Sequence, residues 1–274
     1  MVDLGSSPAV FTILSALVEE RTGLHYGLSD RELFLERVTT RATDAGFDSL
    51  LDYYYFLRYD PVANVELRLL TEALVVNESF FFREIEALRV AVNQFIRPLM
   101  VSGRRPRIWS SACATGEEPL TLAMLLADAD LLDNVEIVAS DISARALARA
   151  REGRYPPRAV REGFDAGLVE RWLTPLAQGR WQVDQRLVEA IAWSRVNLTN
   201  IGEVACLGRF DVILCRNVLI YFRPETVTRV LSSLATALKP EAVLFVGISE
   251  SLMRFGTLLA CEERDRVFFY RRSE

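Results

Sequence analysis

The chain has 274 residues, half of them hydrophobic and a quarter charged, enough for one large core or a core with a smaller helical domain. A formal net charge of −5 argues against a nucleic-acid binder that works through an overall basic surface. The four cysteines, Cys113, Cys206, Cys215 and Cys261, lie far apart with no CxxC, so reduced thiols are expected, with neither a zinc site nor a disulfide framework.

The chain opens with helical patterning. Ser7 and Pro8 suit an N-cap and first helical position, and Val10, Phe11, Leu14, Leu17 and Val18 recur on one face as far as Gly23. This stretch runs into acids and lacks a basic leader, so it reads as an amphipathic helix rather than a signal peptide. Ser29 and Glu32 have capping-box spacing ahead of Leu33, Phe34 and Val38. Two more apolar helices are expected at about 48–59 and 62–74, broken by Asp60-Pro61. The expected division is therefore a helical domain over 1–74 and a second domain over 75–274. No apolar run approaches the ~20 residues needed to span a bilayer, so a soluble, cytoplasmic chain without membrane insertion is expected.

Near the start of the second domain stands NESFFFRE, residues 77–84, three phenylalanines closing on Arg83. From about residue 105, strand-like runs (RIWSSA, VEIVAS, FDVILC, AVLFVG) alternate with helical ones (EEPLTLAMLLADA, ARALARARE, ETVTRVLSSLATAL). That alternation predicts an α/β domain, a mostly parallel, doubly wound sheet with helices on both faces. Residues from about 156 to 190 break the pattern. Their prolines, glycines and the short WQV predict a helix and a small antiparallel excursion outside the main sheet, a β-subdomain over about 158–190.

Ligands of such sheets bind outside the carboxyl ends of the strands. After RIWSSA comes CATGEE, a turn at Gly116 and a helix opening with Glu117 and Glu118. An acidic pair at a helix N-terminus repels phosphate and suits an ammonium or hydroxyls, although acids there also simply favour the helix dipole. VEIVAS ends at Asp141, about 25 residues beyond Gly116, where a carboxylate meets ribose hydroxyls in nucleoside-binding sheets or caps the next helix. FDVILCRNVLIYF delivers Arg216 and Asn217 to a third strand end, with Tyr221 one turn further on.

In their order and spacing, NESFFFRE, RIWSSACATGEEPLTLAMLLA, ASDISARALARAREGRY, the later VNL, DVILCRNVLIYF and LKPEAVLFVGISESL resemble the chemotaxis receptor methyltransferases of the CheR type. The likeness spans essentially the whole chain. It implies S-adenosylmethionine as methyl donor, S-adenosylhomocysteine as product, and glutamates of chemoreceptor signalling helices as acceptors. It also implies a helical N-terminal domain before a Rossmann-like domain bearing a small β-subdomain. Matched residue by residue, it places cofactor contacts at Asn77, Ser79, Arg83, Glu117, Asp141, Asn197, Leu198, Arg216 and Asn217, and a tyrosine near the reacting methyl at Tyr221. Ser79 stands where threonine is usual, and LKPEA replaces the common LKPGG.

Methyl transfer from a sulfonium to a carboxylate neutralises both charges, so an apolar wall of one or more of Phe80, Phe81 and Phe82 suits the reaction. The acceptor glutamate is ionised at neutral pH, so no base is needed, and His25 is read as structural. Arg83 suits two-point contact with a carboxylate of either substrate or cofactor. Arg37 and Arg41, four apart, share one face of the second helix and are candidate receptor contacts, although a solvated face explains them too. Some family members dock a receptor C-terminal peptide on the β-subdomain, which stays open here. A monomer that does not bind nucleic acid is expected. The alternatives are a scaffold or sensor of the same fold without turnover, and a methyltransferase acting on nucleic acid or a small molecule.

Overall fold

The computed structural model describes residues 7–161, 165–256 and 259–272. Its chain divides into two compact units, Met1–Val76 with Tyr221–Arg223, and Asn77–Ile220 with Pro224–Glu274.

The first unit is helical: α1 (Pro8–Thr22), α2 (Arg31–Asp44), α3 (Leu50–Tyr59) and α4 (Asn64–Leu74). Helix α1 is bounded as its sequence requires. The Ser7 hydroxyl accepts from Val10 N–H at the start, and Gly23 closes the end with φ +81°. Helix α2 is not capped by Ser29. A tight 3-10 turn over Leu28–Asp30 precedes it, the Asp30 carboxylate accepts Gly27 N–H at 2.9 Å, and the helix begins at Arg31. Phe11, Leu14, Leu17, Phe34, Val38, Tyr53, Leu57 and Leu70 fill the core of this unit. The short segment Tyr221–Arg223 joins it through a bridge between Phe222 and Leu24 and a 2.9 Å bond from His25 N–H to the Tyr221 carbonyl. Arg223 Nε donates to His25 Nδ1 at 3.0 Å, so the chain's single histidine is spent inside this unit.

The second unit starts with a helical stretch that the sequence pattern did not single out: α5 (Ile85–Val90), a π-helical turn over Ala91–Ile96, and α6 (Arg97–Val101). Pro98 has no N–H to return to the preceding turn, which accounts for the loosened hydrogen bonding ahead of it. Then come β1 (Arg107–Ser111), α7 (Glu117–Asp128), β2 (Glu136–Asp141), α8 (Ala144–Glu152), β3 (Arg154–Tyr155), α9 (Ala166–Trp172), β4 (Leu173–Pro175), β5 (Trp181–Val183), α10 (Gln185–Glu189), β6 (Ile191–Arg195), α11 (Ile201–Cys206), β7 (Phe210–Cys215), α12 (Pro224–Ala237), β8 (Leu238–Val246), β9 (Leu259–Arg264) and β10 (Val267–Arg272).

The main sheet runs β6-β2-β1-β7-β8-β10-β9, with the first five strands parallel and the last two antiparallel. The expected doubly wound sheet is present, and it is wider than the four strands read from the alternation. β6 escaped notice because IAWSR follows directly on the subdomain, and β9 and β10 because they form a hairpin with no helix between them. The small sheet, β3-β5-β4, is antiparallel as expected, but its first strand starts at Arg154, ahead of the expected 158. Residues 162–164 of the expected subdomain lie outside the described residues, as do 1–6, 257–258 and 273–274 of the two expected domains.

Strand register levels one edge of the sheet. Ser111 pairs with both Ser140 and Cys215, Cys215 with Val246, and Asp141 with Arg195. The residues after each of these strands therefore emerge side by side, and five loops meet at the carboxyl ends of β1, β2, β6, β7 and β8. Among the described residues, no helix is long and apolar enough to cross a membrane.

Candidate active site

The turn after β1 is shaped by backbone and packing together. Ala112 and Ala114 take positive φ (50° and 49°), and Gly116 has φ +91°. A β-carbon on Gly116 would lie 2.7 Å from Ala150 Cβ and 2.9 Å from the Trp193 ring. The glycine is thus required by α8 and β6 behind it.

Glu117 and Glu118 open α7 side by side and do different things. Both oxygens of Glu117 accept the Thr115 hydroxyl at 2.8 Å, and Ser79 also bonds to this carboxylate. It is 3% exposed, and burial pushes its pKa up against the opposing pull of these donors. Glu118 instead accepts Ser110 Oγ at 2.7 Å and Arg216 Nη1 at 2.9 Å.

Asp141 ties two loops together: Oδ2 accepts Ala114 N–H at 2.8 Å and Oδ1 accepts Ser143 N–H at 2.9 Å. The cap of α8 itself is Ser143, whose hydroxyl accepts Ala146 N–H. Asn197 holds its own turn, its Oδ1 accepting both the N–H and the hydroxyl of Thr199, while Leu198 is buried.

Arg216 lies behind the site surface. Its side chain is 1% exposed, with Nη1 on Glu118 and Nη2 donating to Glu84 Oε2 and to the Arg83 carbonyl, at 2.9–3.0 Å. Both Nη atoms are spent on protein groups, and among the described residues Nε is buried without a partner. Glu84, which the sequence reading passed over, is the opposite pole of this cluster. Burial would raise its pKa, but the Arg216 guanidinium and bonds from Asn217 and Ile248 hold it below the ordinary carboxylate value.

Asn217 has φ 59°. Its N–H donates to Glu250 Oε2 at 2.7 Å, as does Gly247 N–H at 2.8 Å, while Leu219 and Ile220 donate to Oε1 at 2.8 and 3.3 Å. One buried carboxylate thus holds the whole RNVLI loop. Glu250 was also missed, although a lone acid within GISESL after an apolar strand was the available signal.

NESFFFRE divides by residue. Phe81 and Phe82 are buried, with Phe82 at φ 64° and Glu84 at φ 50°. Phe81 N–H donates to the Ala159 carbonyl at 2.8 Å, and its ring meets Tyr155 edge-on, 4.8 Å between centroids. Phe80 is only partly buried and faces two guanidiniums, Arg161 with Cζ 3.5 Å from the ring centroid and Arg83 at 5.6 Å. Among the described residues, the Arg83 side chain and the Asn77 amide have no hydrogen bond or ion pair within the protein. Phe82, Glu84, Ala112, Ala114 and Asn217 are non-glycine residues in the left-handed region, each costing on the order of 1–3 kcal/mol, and all lie in these loops.

Arg37 and Arg41 do share one face of α2, but that face turns inward. Arg41 makes a two-point pair with Glu66 at 2.6 and 2.9 Å, to which Tyr53 also donates, and Arg37 donates to the Leu74 carbonyl at 3.1 Å. The Arg41 guanidinium thus neutralises a buried carboxylate within the helical unit.

Residues 77–268 match the CheR methyltransferase S-adenosylmethionine-binding domain, and residues 9–75 the CheR all-alpha domain. The chain belongs to the CheR methyltransferase family. It is 34% identical over 247 residues to a chemotaxis protein methyltransferase of Vibrio parahaemolyticus, covering 87% of each chain. It is 32% identical to chemotaxis protein methyltransferase 2 of Vibrio cholerae (87% and 84%), and 29% identical to chemotaxis protein methyltransferase 1 of Pseudomonas aeruginosa (91% and 92%). The CheR family uses S-adenosylmethionine to methylate glutamate side chains of chemoreceptors, and this is the activity of the chain. Its donor set fits that cofactor. A CheR site must meet an ammonium and ribose hydroxyls, and Glu117 is a buried carboxylate whose side-chain donors are the hydroxyls of Thr115 and Ser79, with Asp141 at the neighbouring strand end.

Proposed function

We propose that the chain forms glutamyl methyl esters on the signalling helices of chemoreceptors with Arg83 as the residue that aligns the acceptor carboxylate. One observation carries this reading: among the described residues the Arg83 guanidinium has no hydrogen-bond or ion-pair partner, and it is set beside the partly buried ring of Phe80. A planar guanidinium can hold a carboxylate at two points.

When bound, S-adenosylmethionine supplies a methyl group on a sulfonium. Glu117 balances a cationic group of the cofactor, Asp141 takes the ribose hydroxyls, and Asn77, Ser79, Asn197, Leu198 and Asn217 complete the cofactor's surroundings. Arg216 supports the site from behind by ordering Glu84 and Glu118. Tyr221 beside the reacting methyl rests on the family resemblance. The acceptor glutamate, with pKa near ~4.3, is already an anion at neutral pH, so the protein needs to position it and exclude water rather than remove a proton. Phe80 serves the second task, because charge is lost on the way to products and a dry surface favours that loss.

The chain acts as a cytoplasmic monomer. A receptor C-terminal peptide on the small sheet β3-β5-β4 is part of this reading by resemblance alone. The test is transfer from methyl-labelled S-adenosylmethionine to the purified cytoplasmic fragment of a chemoreceptor. Mild alkali should release the label as methanol. Label that resists alkali overturns the ester, and cofactor binding without any transfer favours the scaffold.

A further inference from the structure

The turn that follows β3 of the small sheet is docked on the NESFFFRE segment. Phe81 N–H reaches the Ala159 carbonyl at 2.8 Å, Phe81 packs on Tyr155, and the Tyr155 hydroxyl donates to the Thr115 carbonyl at 2.7 Å. These contacts carry two exposed arginines of the same turn, Arg158 and Arg161, to the site. Arg158 is close enough to act on the Glu117 charge. Arg161 stacks on Phe80 at 3.5 Å, and Arg83 lies over the same ring at 5.6 Å.

Stacking orients a guanidinium without using its donors, which stay in the ring-parallel plane and remain available. The acid opposite Arg161 is Glu78, 3.9 Å away with its side chain 75% exposed, a loose contact of little worth in water. Arg161 is therefore an oriented cation, barely neutralised, beside the same aromatic ring as the guanidinium read above as the acceptor's anchor.

We infer that Arg161 is an acceptor-positioning residue that takes a second carboxylate of the receptor segment, while Arg83 takes the one to be methylated. The two guanidiniums that share the Phe80 ring make the enzyme selective for an acceptor glutamate with another acid close by on the same surface. This rests on the reading of Arg83 given above. It asks nothing of Arg161 in the methyl transfer itself, so the residue acts on substrate affinity and not on the chemical step.

The test compares Arg161→Ala, Arg161→Lys and Glu78→Gln in initial-rate methylation of a purified receptor cytoplasmic fragment, with S-adenosylhomocysteine affinity measured alongside. Arg161→Ala should raise KM for the fragment about tenfold, keep kcat within about twofold, leave S-adenosylhomocysteine affinity unchanged, and flatten the rise of KM with salt. Arg161→Lys should recover part of the loss. Glu78→Gln should lower KM, because it removes the competing acid. Opposite signs for the two alanine- and glutamine-type changes are not expected of residues that merely hold the turn in place. An unchanged KM in Arg161→Ala with normal methyl ester formation overturns the inference alone, and weakened S-adenosylhomocysteine binding overturns it by moving Arg161 to the cofactor. Absence of ester formation by the unsubstituted chain overturns the reading of Arg83 as well.

Discussion

Glu250 Oε2 accepts the backbone N–H of Asn217 at 2.7 Å, and this one carboxylate sets the conformation of the loop after β7. Its other oxygen takes Leu219 N–H, so the loop turns around a buried anion rather than around its own side chains. Glu250→Ala should leave several buried donors unpaired and cost about 2–4 kcal/mol of stability. Turnover should fall further than the folded fraction does. Denaturant melts and single-turnover rates on the same preparations check both.

Gly247 is the counterpart of that staple. A β-carbon there would sit 2.6 Å from Asn217 Nδ2, 2.8 Å from Glu250 Oε2 and 3.0 Å from the Asn217 nitrogen. Gly247→Ala must displace Asn217, and is expected to cost about 1–3 kcal/mol. S-adenosylhomocysteine affinity by calorimetry should weaken in the folded variant, whereas normal affinity would remove Asn217 from the cofactor's surroundings.

The three phenylalanines should separate. Phe81→Ala and Phe82→Ala empty fully buried space and should each cost about 3–5 kcal/mol, read from denaturant melts. Phe80 is only partly buried, so Phe80→Ala should cost far less stability and lower methylation instead. Arg83→Ala should abolish most turnover in a folded protein, and Arg83→Lys should rescue poorly because lysine lacks the planar fork.

Arg41 should behave as a structural residue. Arg41→Ala strands the Glu66 carboxylate, whose side chain is 10% exposed, with only Tyr53 as donor. Because Arg41 is itself 20% exposed, the expected loss is about 2–3 kcal/mol, below that for a fully buried pair. KM for a receptor fragment, corrected for folded protein, should not change.

Cofactor binding should depend on Glu117 ionisation. Burial holds this carboxyl's pKa above the ordinary value, so in the empty protein it takes up a proton at a higher pH than a free glutamate does. A cation bound against it favours the anion and lowers that pKa. Affinity for S-adenosylhomocysteine should therefore fall as pH drops through the raised value, with a proton released on binding there. Calorimetry in buffers of different ionisation enthalpy reads that proton directly, and Glu117→Gln should abolish the release while weakening binding. For stability the sign is opposite: the raised pKa favours the folded state below it, and that contribution is lost as pH rises through it.

Local pattern alone determined the four helices of the first unit, the parallel strands β1, β2, β7 and β8, the excursion into a small antiparallel sheet, and the family. Periodicity, caps such as Ser7 and Gly23, and contiguous blocks such as CATGEE and RNVLIYF are properties of neighbours in sequence, and they survive folding unchanged. What each charged residue faces is not such a property. Helix α4 brings Glu66 to Arg41, and Glu84 and the first turn of α7 bring carboxylates to Arg216. Beyond being a lone acid in GISESL, Glu250 gave little local sign of its role, because three of its four donors, on Asn217, Leu219 and Ile220, become its neighbours only when β7 and β8 pair in register and level their ends. The partners of a buried charge are chosen by strand order and register, and those arise only when the whole sheet has closed.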